Sequence, residues 1–235
     1  MAIVKLGPVV TGIRGSLGGV VFSNSRGGPY CRSSYKPVNP RTALQSDCRN
    51  FISWVPGLWR GLTVEQQEAW ATYAALPAQA LTNSLGETYY ASGYNWFLSI
   101  NSNRTEVGLV ILEDPPVSGT PEIPAVIEVT LEFIEGVLLS DCTFEEEAPI
   151  WDQYLIVHAA YVPSGGRLVQ HSGFYWIFGA LMEVPVNPDF GPAIQARWPL
   201  CTAGDQVFLR MFAQSLEGRR SAPYACGRVL FNAIG

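Results

Sequence analysis

The chain has 235 residues, fifteen of them Lys or Arg and twenty Asp or Glu, for a net charge of −5; 48% of the residues are hydrophobic and 12% aromatic. Disordered chains are poor in aromatics and rich in charge, so this composition excludes disorder as the default state and suits one or two domains with their own cores. The apolar runs are broken by Gly, Pro or charge and fall short of the roughly 20 residues that span a bilayer, and Met1 to Pro8 holds no apolar run of the length of a signal peptide.

Lysine occurs only at Lys5 and Lys36; every other basic residue is Arg. Buried protein–protein contacts are depleted in Lys and enriched in Arg and aromatics, so the composition reads as a subunit partly covered by neighbours. Charge is also divided along the chain. Residues 1 to 60 carry eight cations against one anion, Asp47, a net +7. Residues 114 to 235 carry six Arg against fourteen acids, a net −8. Asymmetry of this size points to parts with different surroundings. The Pro/Gly/Ser cluster at 114–121 is a natural linker between them. Three stretches result: 1–38, 39–113 and 117–235.

In residues 1–38, Leu17 to Phe22, then Ser23 to Gly28, then Pro29 to Arg32 read as strand, turn, strand, a β-hairpin on an extended basic arm. An isolated hairpin is marginal in water, so the arm needs a surface to lie on. Gly12, Gly15 and Gly18 resemble phosphate-loop spacing, but no Gly-Lys-Ser/Thr follows. Relief of φ constraints in an arm explains the same glycines more simply.

Residues 39–113 read as three helices. Asn39-Pro40 suits a helix start, and Ala43, Leu44, Cys48, Phe51, Ile52 and Val55 form an apolar stripe that Pro56-Gly57 is expected to end. Thr63 and Gln66 have the form of a capping box for a helix carrying Trp70 and Tyr73. Ser92 is placed to cap a third helix that closes near Gly108. Trp54, Trp59, Trp70 and Trp96 are expected to serve mainly as core.

From residue 117 the pattern changes to period two, as in Ile127 to Phe133. Tyr154–Val162, Phe174–Phe178, Gln206–Ala213 and Arg228–Ile234 follow as strands between turn signals, with no helix expected among them, which argues for an antiparallel β-sandwich.

No catalytic constellation stands out. His158 and His171 have no ligand set at zinc spacing, and no Gly-x-Ser-x-Gly elbow is present. Glu145-Glu146-Glu147 lacks the spacing of a calcium loop. The five Cys are odd in number and widely spaced, and are expected as free, buried thiols. No cofactor or metal is expected. The arm's cations alternate with Val, Leu, Tyr and Phe, which favours a protein partner over nucleic acid.

Gly15 to Phe22, Asn39-Pro40-Arg41-Thr42 with Gln45, Trp59 to Thr63 with Gln66, Gln67 and Trp70, and Ser92 to Asn95 together resemble a group of proteins encoded by bacterial viruses and prophages. The resemblance covers somewhat under half the chain, implies a virion component and brings no catalytic residues. Ala203 to Ala213, with Gly218 and Ser221-Ala222-Pro223, is similar to the last hairpin of fibronectin type III modules, with Phe208 at a place often held by Tyr.

The expected fold is therefore α+β with two domains: a small helical unit with an N-terminal β-hairpin arm, then an Ig-like or fibronectin III-like antiparallel sandwich. The expected function is a non-enzymatic structural subunit of a bacteriophage particle, on the capsid, neck or tail, binding copies of itself and other virion proteins as a homo-oligomer, with no membrane contact. Arg14, Arg26, Arg32 and Arg41 are the expected charged anchors, and Val20, Phe22 and Tyr30 the apolar ones. The alternative is a carbohydrate- or receptor-binding module using Trp151, Tyr175, Trp176 and Trp198.

Overall fold

The computed structural model describes residues 2–10, 12–36, 39, 43–117, 119–121, 126–134, 137–144, 153–162, 174–182, 189–202 and 205–233. It is a mixed chain of helices and mainly antiparallel sheets, none closed, and divides into two compact units: Met1–Ser102 with Leu112–Pro115, and Asn103–Ile111 with Pro116–Gly235. Among the described residues no helix is long and apolar enough to cross a membrane.

The first unit opens with a four-stranded antiparallel sheet of β1 (Ala2–Ile3), β2 (Gly15–Leu17), β3 (Val20–Ser25) and β4 (Gly28–Ser33), in the order β1-β4-β3-β2. Gly18 and Gly19, expected inside a strand, are instead the turn between β2 and β3, with φ of +55° and +84°. Two consecutive positive-φ residues are what the tight type I′ hairpin turn demands, and glycine adopts them without strain. The next turn is correspondingly shorter than expected, with Ser25 directly opposite Gly28.

Helix α1 spans Ala43–Gly61 and continues through Pro56. Proline in a helix interior removes one hydrogen bond and crowds the preceding turn. Packing outweighs this, because Phe51, Val55, Leu58 and Trp59 put a covered face on both sides of the proline. The expected stripe is displaced: Cys48 and Ile52 are exposed. Helix α2 (Val64–Ala75) has its capping box, with Gln66 N donating to Thr63 Oγ1 at 3.2 Å and Thr63 N to Gln66 Oε1 at 3.0 Å. A minimal hairpin, β5 (Leu81–Thr82) with β6 (Thr88–Tyr89), precedes helix α3 (Gly93–Glu106). Ser92 Oγ accepts from Asn95 N at the start of α3. At its end Leu109 N donates to Arg104 O and Gly108 N to Thr105 O, the double bond of a Schellman stop around Gly108 at φ +77°.

This unit's core is aromatic. Trp70 and Phe97 are fully buried and meet edge-on with centroids 5.5 Å apart, and Trp59 and Tyr73 join them. Trp70 Nε1 donates to Glu113 O at 2.6 Å. Buried Asn101 clasps Leu112, accepting from its N at 2.7 Å and donating to its O at 3.1 Å. Both bonds satisfy polar groups that would otherwise be costly to bury.

The second unit is built on one six-stranded sheet of β7 (Val126–Ile134), β8 (Val137–Phe144), β9 (Gln153–Val162), β10 (Tyr175–Met182), β11 (Gln206–Ser215) and β12 (Tyr224–Ala233), in the order β10-β9-β11-β12-β7-β8. Every pair is antiparallel except β12 with β7, which is parallel, with Phe231 opposite Leu131. Helix α4 (Gly191–Arg197) lies between β10 and β11, where no helix was expected. Proline at its first turn was the available signal. Helix α4 packs against both edge strands, β8 and β10. A flat sheet of six strands is about 24 Å wide, and a seven-residue helix about 10 Å long, so the sheet must curl to bring both edges to it. Leu131, Leu138, Leu155, Val157, Met211 and Phe231 fill the curl, with Phe190 and Ile194 from the helix region. The turn signals at Glu135–Gly136 and Pro163–Gly166, the run Glu145–Glu147, and Trp151 and His171 lie outside the described residues.

All five cysteines are free. Cys142 and Cys201 are buried and Cys31 and Cys226 half-buried, while Cys48 is exposed on the uncovered part of α1, contrary to the expected burial of all five. Burial pushes the thiols of Cys142 and Cys226 up to about 12. Burial and the Asp205 carboxylate raise the Tyr161 phenol likewise to about 12.

Gly93 permits a close approach of α3 to α2: a Cβ there would lie 2.8 Å from Trp70 C and Ala71 N. Gly93→Ala should therefore lower the unfolding free energy by about 1–3 kcal/mol. Gly57→Ala, in helix α1 with open space around it, should raise it by about 0.5–1 kcal/mol; urea titration reads both, and a neutral Gly93→Ala would contradict the packing. The raised thiols and phenol hold their protons in the folded chain after the unfolded chain has lost them, so their contribution is complete below the ordinary thiol value of 9.0 and declines as pH rises toward about 12. The urea midpoint should fall over that window, with a shallower fall in a Cys142→Ala, Cys226→Ala variant; a flat midpoint would count against burial of these groups.

Candidate functional site

Val55 is the first buried residue among those described, and no described side chain from Ala2 to Trp54 is buried. The stretch nevertheless holds a complete sheet with apolar residues on both faces. The register places Leu17, Val20, Phe22 and Cys31 on one face. On the other it places Ile3, Val21, Tyr30 and Arg32. Of the expected anchors, Val20 and Phe22 thus share a face, and Tyr30 and Arg32 share the opposite one. Arg26 lies in the β3–β4 turn, Arg14 immediately before β2, and Arg41 outside the described residues.

Leu17 is 78% exposed, and on α1 Ile52 and Trp54 are 58% and 52% exposed. Exposure of Trp54 runs against its expected place in the core. The hairpin turn touches its own unit: Asn83 Nδ2 donates to Gly27 O at 2.9 Å, and Lys5 pairs with Glu87 at 3.4 Å. Arg26 reaches toward Tyr90 O at 3.5 Å, at the rim of an open groove floored by Ala71, Ala74 and Gly93 and walled by Trp59, Tyr90 and Tyr94. Arg14 and Arg32 are exposed and make no side-chain hydrogen bond or ion pair among the described residues. The sheet therefore offers apolar area together with uncompensated positive charge, the pairing that suits an acidic, partly apolar protein surface.

In the second unit a cluster of ionisable groups ties Asn103–Ile111 to the β11–β12 turn. Arg220 pairs with Glu106 and donates to Gln214 Oε1 at 2.7 Å. Gln214 Nε2 donates to Asn103 O, and Asn103 Nδ2 to Gly218 O. Asn103, which fits a glycosylation acceptor in sequence, is thus committed within the fold. His158 Nε2 lies 3.7 Å from Glu106 Oε1, beyond hydrogen-bond reach, and its ring packs on Phe212. Burial raises the Glu106 carboxyl, but His158 and the Arg220 guanidinium outweigh it and hold the carboxyl below its ordinary value. Arg220, Glu106, Gln214 and Asn103 are paired within the cluster, whereas the buried His158 Nε2 has no hydrogen-bond partner among the described residues.

Trp176 is 45% exposed, whereas Trp198 stacks on Tyr161, which in turn stacks on Phe231. Among the described residues no three His, Cys, Asp or Glu side chains come together as metal ligands.

The signal that sequence reading missed is on the hairpin β7–β8. Its outward face carries exposed Ile134, Val137 and Leu139 beside Glu132 and Asp141, so the period-two pattern does not end in a polar exterior. Comparisons with family models, curated proteins and solved structures find no match for this chain.

Proposed function

We propose that this protein is a non-enzymatic structural component of a bacteriophage particle, held to neighbouring subunits by its N-terminal sheet. The observation that carries the proposal is that residues 2 to 54 fully bury no described side chain: Leu17, Ile52 and Trp54 are exposed, and Val20, Phe22 and Tyr30 are only half-buried. Burial of a large apolar side chain is worth about 1.5–3 kcal/mol, so a neighbour that covers several of them gains enough to offset the ordering of an arm. The net +7 of residues 1–60 and the scarcity of Lys agree with an anchoring surface. The likeness of the first hundred residues to phage and prophage proteins supplies the particle.

In the same reading the second unit is an Ig-like module on the particle surface. Its support is the curled sheet over one core and the closing hairpin of β11 and β12, where the fibronectin-like pattern falls. The glycan-binding alternative rests on Trp176, the one open ring among its described side chains.

Mass spectrometry of purified particles should find the chain in multiple copies. A Phe22→Glu, Tyr30→Glu variant, folded by circular dichroism, should be at least about tenfold depleted, as expected for loss of more than about 1.4 kcal/mol of docking energy. Absence of the chain from particles, or undiminished incorporation of that variant, would overturn the proposal.

A further inference from the structure

We infer that the partner of the N-terminal sheet is the outward face of the β7–β8 hairpin on a second copy of this chain. The inference rests on the anchoring role proposed above and names what the anchor grips.

The two surfaces are complementary in chemistry. The sheet face with Val21, Tyr30 and Arg32 is apolar and positive, and exposed Arg14 adjoins it at the start of β2. The register of β7 and β8 places Glu132, Ile134, Val137, Leu139 and Asp141 together on one face. Ile134, Val137 and Leu139 are 41%, 47% and 36% exposed, although their neighbours Leu131, Leu138 and Cys142 point the other way and are fully buried. A strand that covers one face fully and leaves aliphatics on the other is unusual, because antiparallel sheets commonly solvate that second face with polar residues. Exposed apolar area rimmed by charge marks an interaction surface.

Charge decides which surfaces meet. Sheet against sheet would bring Arg14 and Arg32 toward their own copies, and hairpin against hairpin would oppose Glu132 and Asp141 to themselves. Like charges brought together disfavour both pairings. Sheet against hairpin pairs Arg with carboxylate and aliphatic with aliphatic. The shapes also agree: strands of six residues span about 20 Å, within the length of β7 and β8. Such a contact joins different patches on the two copies, so each assembly still offers one free sheet at one end and one free hairpin at the other, and growth continues until the rotation closes a ring.

Sedimentation velocity on three full-length chains tests this. The natural chain should self-associate at concentrations of about 100 μM, and less so as salt rises from about 0.05 M to about 0.5 M. Arg14→Glu, Arg32→Glu breaks the sheet side, and Val137→Asp, Leu139→Asp breaks the hairpin side; each should be monomeric alone. Mixed in equal amounts they retain one intact sheet and one intact hairpin, and should give a 1:1 dimer that grows no further. Circular dichroism and urea titration establish that both variants fold, and Arg32→Lys should keep most of the association. A natural chain that stays monomeric overturns the inference, whether it then binds nucleic acid or another virion protein, and leaves the anchoring role to be judged on particles. Variants that stay monomeric when mixed also overturn it, because sheet and hairpin would then not be partners.

Discussion

Apolar side chains must leave water somewhere, and this requirement is met very unevenly along the chain. The helices from Val55 onward wrap Trp70 and Phe97, and the curled sheet encloses Leu131, Leu155 and Met211. The first fifty-four residues carry comparable side chains and fully bury none of those described, leaving Val20 to Phe22, Tyr30 and Phe51 half-buried. Regular hydrogen bonding still orders them, since β1 to β4 form a continuous ladder. Hydrogen bonds contribute modestly in net terms because water competes for them. A sheet with no fully buried described side chain keeps apolar area that a second layer would cover.

Elsewhere a number of buried polar groups are bonded, although Trp96 Nε1, Gln153 Oε1, His158 Nε2 and Gln206 Oε1 are buried without a hydrogen-bond partner among the described residues. Trp70 Nε1, the Asn101 amide and the Gln214 amide each find backbone carbonyls. At helix α4 the side chains accept instead, with Phe190 N donating to Ser140 Oγ at 2.6 Å and Gly191 N to Asp189 Oδ1 at 3.0 Å. These bonds fix a seven-residue helix that has little stability alone. The helix can then close the open side of the curl.

What was legible in the sequence was what is decided locally. The capping box of Thr63 and Gln66 and the stop at Gly108 depend on a few adjacent residues, and both lie where the pattern puts them. Gly18-Gly19 was misplaced because apolar residues on both sides imitate a strand, and only the φ values reveal a turn. Pro56 was read as an end because its local penalty is visible, while the packing of Val55 and Trp59 that overrides it is not. The parallel meeting of β12 and β7 joins residues about a hundred positions apart, and no periodicity encodes it. In the candidate site, the Arg and aromatic content of the arm was apparent. The division of those anchors between two faces, and the aliphatics on the outside of β7–β8, required the register.

The place of β12 has a consequence for how the second unit is made. It is the latest of the six strands in chain order, yet it lies in the interior of the sheet, between β11 and β7. Before it emerges from the ribosome, β7–β8 and the β9–β10–β11 group are separate pieces with raw edges facing a gap. Closing that gap is a long-range step that carries a large loop-entropy cost and comes late. Until then a nascent chain exposes two pairing edges at once, which makes slow translation or premature release near residue 224 a hazard for misassembly among growing copies.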